Sequence, residues 1–306
     1  MLDTLCVRGV SMAFGLVLLA GACRGGAETK SIWAAAVGAA ARSAPDARIV
    51  VLDMASGHVL AASRLGEAAR TLAAPGSTLK PLALYGLVAS GRWTPSRRIA
   101  CNRSLRFGGR SLACSHPQSN PMDARLALAW SCNTYFAAVA QTLGPGELRA
   151  LLAPTGLLGQ TGLSPNEATA TFRDPHTPDE TSLALLGVDG IRVTPLELAS
   201  AYRWLGLQLD AHPDSAAAQV VQAGLTDSAS FGIAASASLS GVSVAGKTGT
   251  ANLGGGTPTH GWFAGLVPAT HSQVVVVVYL PTGHGADAAR IAGEVLAHSP
   301  LRRERP

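Results

Sequence analysis

An α+β fold is predicted, an α/β arrangement in which one antiparallel sheet of about five strands takes strands from both chain ends. Three observations predict it. Short apolar runs of strand character lie near the start (48–63) and near the end (242–280), while the stretch between them is helical in pattern. The turns between the late strands are short, which favours antiparallel pairing. No internal repeat is present, so the simplest packing has helices flanking the sheet and a mostly helical lobe inserted between its two halves. A chain of 306 residues is long enough for one large domain or two small ones with a real core.

Taken in order, Met1 to Cys23 has the features of an export leader. Its apolar stretch from Val10 to Ala22 follows Arg8 and ends in Ala20-Gly21-Ala22, a small-x-small cleavage pattern. The stretch is short for a membrane span. Cys23, directly after that pattern, leaves a lipid-anchored form open beside a cleaved or retained one, although Ala20 stands where a lipidation signal prefers leucine. The expected organisation is therefore a leader over 1–23 and one folded domain over 30–300. That domain would be exported, either periplasmic or held at the outer face of the cytoplasmic membrane.

The Ala-rich segment from Ser31 to Ser43 reads as a helix, and Arg48–Met54 and His58–Ser63 read as a β-hairpin around Ala55-Ser56-Gly57. Pro75-Gly76 is a turn signal, and the apolar run from Ser77 to about Ser90 reads as a helix closed by Gly91. Thr94 to Pro121 is loop-rich, with Arg106-Phe107-Gly108-Gly109-Arg110 as a hairpin tip. Met122–Trp130 and Thr134–Leu143 read as two helices around Ser131-Cys132-Asn133, and Gly146–Ala153 as a third. Thr155 to Leu183 is rich in Pro, Thr and Asp and aperiodic, as suits a loop over a site or a tolerated insertion. In Thr194-Pro195-Leu196-Glu197, Thr caps a helix, Pro opens it and Glu closes a capping box. Strands follow at Val242–Ala251, His260–Val267 and Ser272–Leu280, the last with five consecutive valines, and Gly285–His298 is a closing helix.

Composition narrows the chemistry. Of 24 basic residues only Lys30, Lys80 and Lys247 are lysines. Arginine keeps its proton under all ordinary conditions, whereas a partly buried lysine can lose it. Lysines retained in so arginine-rich a chain point to a chemical need at Lys80 and Lys247. The formal charge of +5 and pI near 9.2 come from scattered arginines, with no dense basic run interleaved with aromatics, which argues against nucleic-acid binding. The basic balance suits an anionic envelope polymer or membrane surface. With 14% charged residues and a mean hydropathy of +0.24, the chain is apolar and globular rather than disordered.

Five cysteines are present, and Cys6 and Cys23 fall in the leader. Cys101 and Cys114 flank the hairpin tip, and an oxidising compartment makes them a disulfide candidate. A zinc site using both with His116 lacks a fourth ligand and the usual short spacings, so no metal is expected. Cys132 reads as a small apolar core residue.

Three motifs remain. In Pro75-Gly76-Ser77-Thr78-Leu79-Lys80-Pro81, a helix opening at Ser77 puts Ser77 and Lys80 on one face a turn apart, where the amine can take the hydroxyl proton. The helix start also offers unpaired backbone N–H groups that favour developing negative charge. Alone, the pair is equally a helix-capping Ser near a surface Lys. Ser131-Cys132-Asn133 sits in a tight connection from which Ser and Asn can both reach one cavity, though both are also ordinary turn residues. On the strand carrying Lys247-Thr248-Gly249-Thr250-Ala251, alternation puts Lys247 and Gly249 on one face and Thr248 and Thr250 on the other. Gly249 leaves room for a ligand backbone, and Lys and Thr donate to a carboxylate. A lysine blunting an edge strand would look the same.

In this order, S-x-x-K, S-x-N and K-T-G form the signature of penicillin-binding proteins and class A β-lactamases. From about Arg48 to Leu296 the chain resembles the transpeptidase domain of a penicillin-binding protein, with PGSTLKP, SCNTYF, VTPLELASAY, KTGTA and HGWFAGLVP carrying the likeness. The resemblance implies a β-lactamase/transpeptidase-like fold. It also implies a serine D,D-transpeptidase or D,D-carboxypeptidase that acts on D-Ala-D-Ala stem peptides of peptidoglycan and is inhibited by β-lactams. On this reading Ser77 is the nucleophile, Lys80 its base, Ser131 the relay to the leaving amine, and Asn133 the holder of Lys80 and the substrate amide. Lys247, Thr248 and Thr250 bind the terminal carboxylate beside Gly249, and the backbone N–H groups of Ser77 and Thr250 form an oxyanion hole. No metal or cofactor is needed. The length leaves no room for the glycosyltransferase or pedestal domain of larger relatives, so a separate glycosyltransferase is the partner such a domain would serve.

Three alternatives carry different chemistry. A β-lactamase needs a water-activating group, and Glu167 stands at a class A-like distance after Ser131. The following Ala168-Thr169-Ala170-Thr171 lacks the Leu-Asn that accompanies that family's glutamate, which reads Glu167 as an exposed loop residue. A non-catalytic β-lactam sensor or cell-wall partner would normally bring membrane helices and a signalling domain. A Ser-His-Asp triad built on His116 or His260 lacks the G-x-S-x-G elbow, and His260 reads as a rim residue.

Overall fold

The computed structural model describes residues 28–107, 109–117, 121–252 and 258–301. The expected leader lies outside the described residues. Among those residues, no helix is long and apolar enough to cross a membrane.

Helix α1 (28–43) precedes the hairpin of β1 (Arg48–Asp53) and β2 (Val59–Ser63), and the short α2 (Leu65–Ala68) follows. A 3₁₀ turn, Gly76–Leu79, runs directly into α3 (Lys80–Ala89). The hairpin β3 (Ser104–Phe107) and β4 (Arg110–Ala113) leads to α4 (Ala124–Ala129), α5 (Asn133–Ala140) and α6 (Glu147–Leu152). Next come β5 (Thr171–Phe172), α7 (Pro178–Leu185), β6 (Ile191–Arg192), α8 (Pro195–Ala211) and α9 (Ala216–Ser230). The chain closes with β7 (Ala245–Ala251), β8 (His260–Val267), β9 (Val274–Leu280) and α10 (Gly285–Ala297).

The main sheet has five strands in the order β2-β1-β9-β8-β7, all antiparallel. The early hairpin and the three late strands therefore share one sheet, as their patterns predict. Its inner strands β1, β8 and β9 are buried on both faces, which explains their continuous apolar runs in place of alternation. Ile49, Val51, Val276 and Val278 turn to a back layer with Trp33 of α1 and Ile291 of α10. Val50, Leu52, Val275 and Val277 turn to the front core with Leu82 of α3 and Tyr202 of α8. The helical lobe, α4 to α7, packs against this front layer.

Within 155–183, where no periodicity is legible, the structure has the two-residue strand β5 and the capped helix α7. The predicted capping box at α8 is present, with Thr194 Oγ1 accepting from the Glu197 N–H and a Glu197 oxygen accepting from the Thr194 N–H at 2.7 Å. Its other oxygen accepts from the Ala170 N–H at 2.6 Å, so Glu197 also ties the irregular segment to α8. Burial pushes this carboxyl up even though backbone N–H groups favour its charge.

Candidate active site

The three motifs meet at one cleft of about 440 Å³ whose lining includes Ser77, Ser131, Asn133, Thr248, Thr250 and His284. Ser77 lies in the 3₁₀ turn and Lys80 is the first residue of α3. The helix expected to open at Ser77 thus begins with a tighter turn. Pro81 at the start of α3 suits that junction, because its missing N–H would be unpaired there in any case. Tyr202 from α8 donates to the Thr78 carbonyl at 2.9 Å, and Gly76 N–H donates to Gly187 O at 2.8 Å. The turn that carries Ser77 is therefore held from two sides.

Lys80 is fully buried. Its ammonium donates to Asn133 Oδ1 at 2.8 Å, to the Ser131 carbonyl at 2.9 Å and to Ser131 Oγ at 3.2 Å, with the Phe136 ring 5.2 Å away. No hydrogen bond runs from Lys80 to Ser77. Burial lowers the Lys80 pKa to about 7, and the neighbouring Cys132 and Cys114 thiols oppose that shift. An amine poised there can accept a proton at neutral pH. Ser131 reaches its position on backbone of left-handed conformation, with φ at 56°, in the tight connection between α4 and α5. That is a strained setting for a non-glycine residue. Asn133 opens α5 and donates to the Ala113 carbonyl at 2.9 Å, which links the S-x-N motif to hairpin β3–β4.

On β7, an edge of the sheet, Thr248 and Thr250 line the cleft. Lys247 is wholly buried behind them and donates to the Thr248 carbonyl at 3.0 Å. Burial, and then the charge of Lys80, pushes its pKa well down. The Thr250 hydroxyl accepts from the Gly285 N–H at 2.9 Å, so the start of α10 also fixes the cleft wall.

Gly249 brings the Ser77 turn against this strand. A Cβ there would lie 2.4 Å from the Pro75 carbonyl oxygen, 3.1 Å from Thr78 Cγ2 and 3.3 Å from the Ser77 nitrogen. A Cβ on Gly76 would likewise meet the Thr250 nitrogen at 2.9 Å. The backbones of Ser77 and Thr250 are thereby brought close together beside one cleft. Gly249→Ala is expected to push the turn away from β7 and cut acylation by at least about 10²-fold, the cost of losing an oxyanion donor. Stopped-flow acylation with a chromogenic cephalosporin measures it.

Several residues stand elsewhere than the sequence suggests. Glu167 is half-buried and closes its own loop, accepting from the N–H groups of Thr161, Gly162 and Ser164 and from the Thr161 hydroxyl. Burial raises its pKa, but these bonds outweigh it and the carboxyl lies below the usual range. It does not line the cleft. His260 is buried rather than on a rim, and its Nε2 donates to the Ala74 carbonyl at 2.8 Å beside the Trp262 indole at 2.9 Å. Burial lowers its pKa, and its bond to Ala74 braces the Ser77 turn from behind. Sequence reasoning missed Gly187, whose φ of +70° and contact with Gly76 only a glycine allows, and His284, which lines the cleft at the start of α10. A glycine ending an apolar helix is the one signal that could have marked Gly187.

The Cys101–Cys114 disulfide expected from sequence is not formed, since both are free thiols, as is Cys132. Cys114 is engaged elsewhere. The Asn133 N–H donates to its sulfur at 3.2 Å, and the Thr134 hydroxyl lies 4.0 Å from it. Cys132 is buried as expected, but in polar company.

With this geometry in view, the family model of the penicillin-binding protein transpeptidase domain matches residues 47–298. The transpeptidase domain of Burkholderia pseudomallei penicillin-binding protein 3 superposes with a TM-score of 0.77 at 22% identity, covering 89% of this chain and 93% of that one. A peptidoglycan glycosyltransferase from Burkholderia ambifaria gives 0.75 at 20% identity, with 89% and 93% covered. Pseudomonas aeruginosa PBP2, solved in complex with WCK 5153, gives 0.73 at 22% identity, with 85% and 73% covered.

Proposed function

The chain belongs to the penicillin-binding protein transpeptidase domain family, and on that premise we propose that it is a serine D,D-transpeptidase that cross-links peptidoglycan stem peptides. The observation that carries the reading is the buried Lys80, bonded to Ser131 and Asn133 at the base of the cleft that Ser77 lines. Ser77 Oγ attacks the carbonyl of the penultimate D-Ala and its proton passes to neutral Lys80. The oxyanion is held by the backbone N–H groups of Ser77 and Thr250. Ser131, within reach of Lys80, hands a proton to the departing D-Ala amine, and the peptide remains as an ester on Ser77. Thr248 and Thr250 hold the terminal carboxylate, with Lys247 buried behind them, and Asn133 orients the substrate amide. An acceptor amine then attacks the ester by the same path in reverse.

Among the described residues no carboxylate lines the cleft, so the water-activating group of a class A β-lactamase has no counterpart there. Glu167, the candidate for that role, is spent on its own loop. The substrate places the domain outside the cytoplasmic membrane, working on glycan strands that a separate glycosyltransferase supplies.

The test is incubation of the purified chain with a reporter penicillin, followed by intact mass over hours and peptide mapping. A long-lived adduct on Ser77 is expected, together with D-Ala release from a D-Ala-D-Ala peptide that accelerates when an amine acceptor is added. An adduct that disappears within seconds as product accumulates would make the protein a β-lactamase. No adduct with any β-lactam would sink the reading.

A further inference from the structure

Behind the S-x-N motif, outside the cleft lining, Cys101, Cys114, Cys132 and His116 converge, with one potential ligand atom from each within 4.8 Å of all the others. The four come from three separate stretches: the approach to β3, the exit from β4, and the connection between α4 and α5. The sequence argument against zinc was the missing fourth ligand, and the fold supplies it in Cys132. We propose that these four side chains bind a single zinc ion, a structural site that clamps Ser131 and Asn133 to hairpin β3–β4.

Donor set and spacing both fit. Three sulfurs and one imidazole nitrogen make the closed four-coordinate shell of structural zinc. Its bond lengths put sulfur and nitrogen donors about 3.5 Å apart across a tetrahedral edge. Cys101 Sγ and His116 Nε2 are 3.4 Å apart. Cys114, Cys132 and His116 are buried and Cys101 is partly so, which leaves no evident open position for water.

The surroundings already favour bound thiolates and the right tautomer. His116 Nδ1 lies 2.7 Å from the Pro117 carbonyl, which can only accept, so Nδ1 carries the proton and Nε2 offers its lone pair toward the sulfurs. Arg103 lies 3.3 Å from the same Nδ1 and donates instead to the His116 carbonyl. Backbone N–H groups of Arg103 and Asn133 point at the sulfurs of Cys101 and Cys114, at 3.4 and 3.2 Å. Three thiolates and a neutral imidazole around a divalent ion leave one net negative charge, beside the Arg103 guanidinium. Binding releases the thiol protons, so affinity should fall with pH.

A disulfide among the three cysteines is the competing outcome in an oxidising compartment. The experiment takes the full chain, purified without added metal or reductant, through metal analysis, native and denatured intact mass, and thiol titration. The expected result is about one zinc per chain, all five thiols of the full chain titratable after denaturation, and an unoxidised mass. Apoprotein loaded with cobalt should show intense visible bands with near-ultraviolet thiolate charge transfer. Cys101→Ser, conservative in size and only partly buried, should weaken zinc binding by more than about 100-fold, beyond the usual loss of an outer partner. Hydrogen exchange at 130–134 should quicken when zinc is withdrawn from the wild type. A disulfide-linked mass, reduced thiols that take up no zinc from zinc chloride, or unchanged affinity in folded Cys101→Ser would overturn the site. Unchanged exchange at 130–134 would overturn the clamp.

Discussion

Ser77→Ala is expected to leave a folded protein that forms no penicilloyl adduct, with acylation down by roughly 10⁶-fold, the scale on which a serine hydrolase loses rate with its nucleophile. The fold survives because other groups hold the turn. Gly76 N–H bonds Gly187 O, the Thr78 hydroxyl bonds the Pro75 carbonyl, and Tyr202 bonds the Thr78 carbonyl. Ser77 itself is only half-buried, so losing its hydroxyl should move stability by no more than about 0.5 kcal/mol. Ser131 does not take over, although its hydroxyl is bonded to Lys80. It sits across the cleft from the strand that supplies Thr250 N–H, away from the oxyanion donors. Intact mass after prolonged exposure to a reporter penicillin, with a melting curve alongside, separates lost chemistry from lost fold. An adduct that persists and maps to Ser131 would transfer the nucleophile role there.

Lys80→Met carries the second large effect. The side chain is close in length and the site stays filled, but no base remains, so acylation should fall by about 10²–10⁴-fold. The pH profile is the sharper signature. Lys80 must be neutral to accept the proton, so the wild-type acylation rate should rise about tenfold per pH unit below about 7 and level off above it. In the variant that limb should flatten. Stability shifts with the same sign. The unfolded chain keeps the Lys80 proton up to about 10.5, whereas the folded chain releases it near 7. Between these values the unfolded state binds the extra proton, so wild-type stability rises with pH across the window, and the full cost of burying the charge is present below it. Denaturant titrations at both ends of the window, wild type against Lys80→Met, measure that slope. Equal slopes in the two proteins would mean that Lys80 keeps its ordinary acidity.

Much of this was legible because the informative patterns are local. The valine run of β9, the hairpin of β1 and β2, and the box from Thr194 to Glu197 each state their conformation within a few residues. So do the Ser77–Lys80 pair and the K-T-G strand. What escaped depends on meetings that no spacing encodes. Cys132 looked like core filler because its partners lie 18 and 31 positions back at Cys114 and Cys101. Glu167 looked exposed because its four donors belong to a loop with no periodicity. His260 looked like a rim residue because the carbonyl it braces, that of Ala74, comes from a distant turn. Alternation put Lys247 and Thr248 on opposite faces of β7. That held: Thr248 and Thr250 share the cleft face, and Lys247 is buried behind it next to the charge of Lys80.

The strand order has a kinetic consequence. β1 is paired along its whole length with β9, Val51 opposite Val276, and β9 in turn carries β8 and then β7, the strand of Lys247 to Thr250. The central ladder therefore joins the two most distant parts of the sequence, and a large loop must close before it gives any return. The first hairpin can form early, but its inner edge waits, apolar and unpaired, until the last strands have emerged. Completion of the sheet is thus a late event in the life of each chain, and a chain truncated before Val274 would present that edge to its neighbours as a template for aggregation.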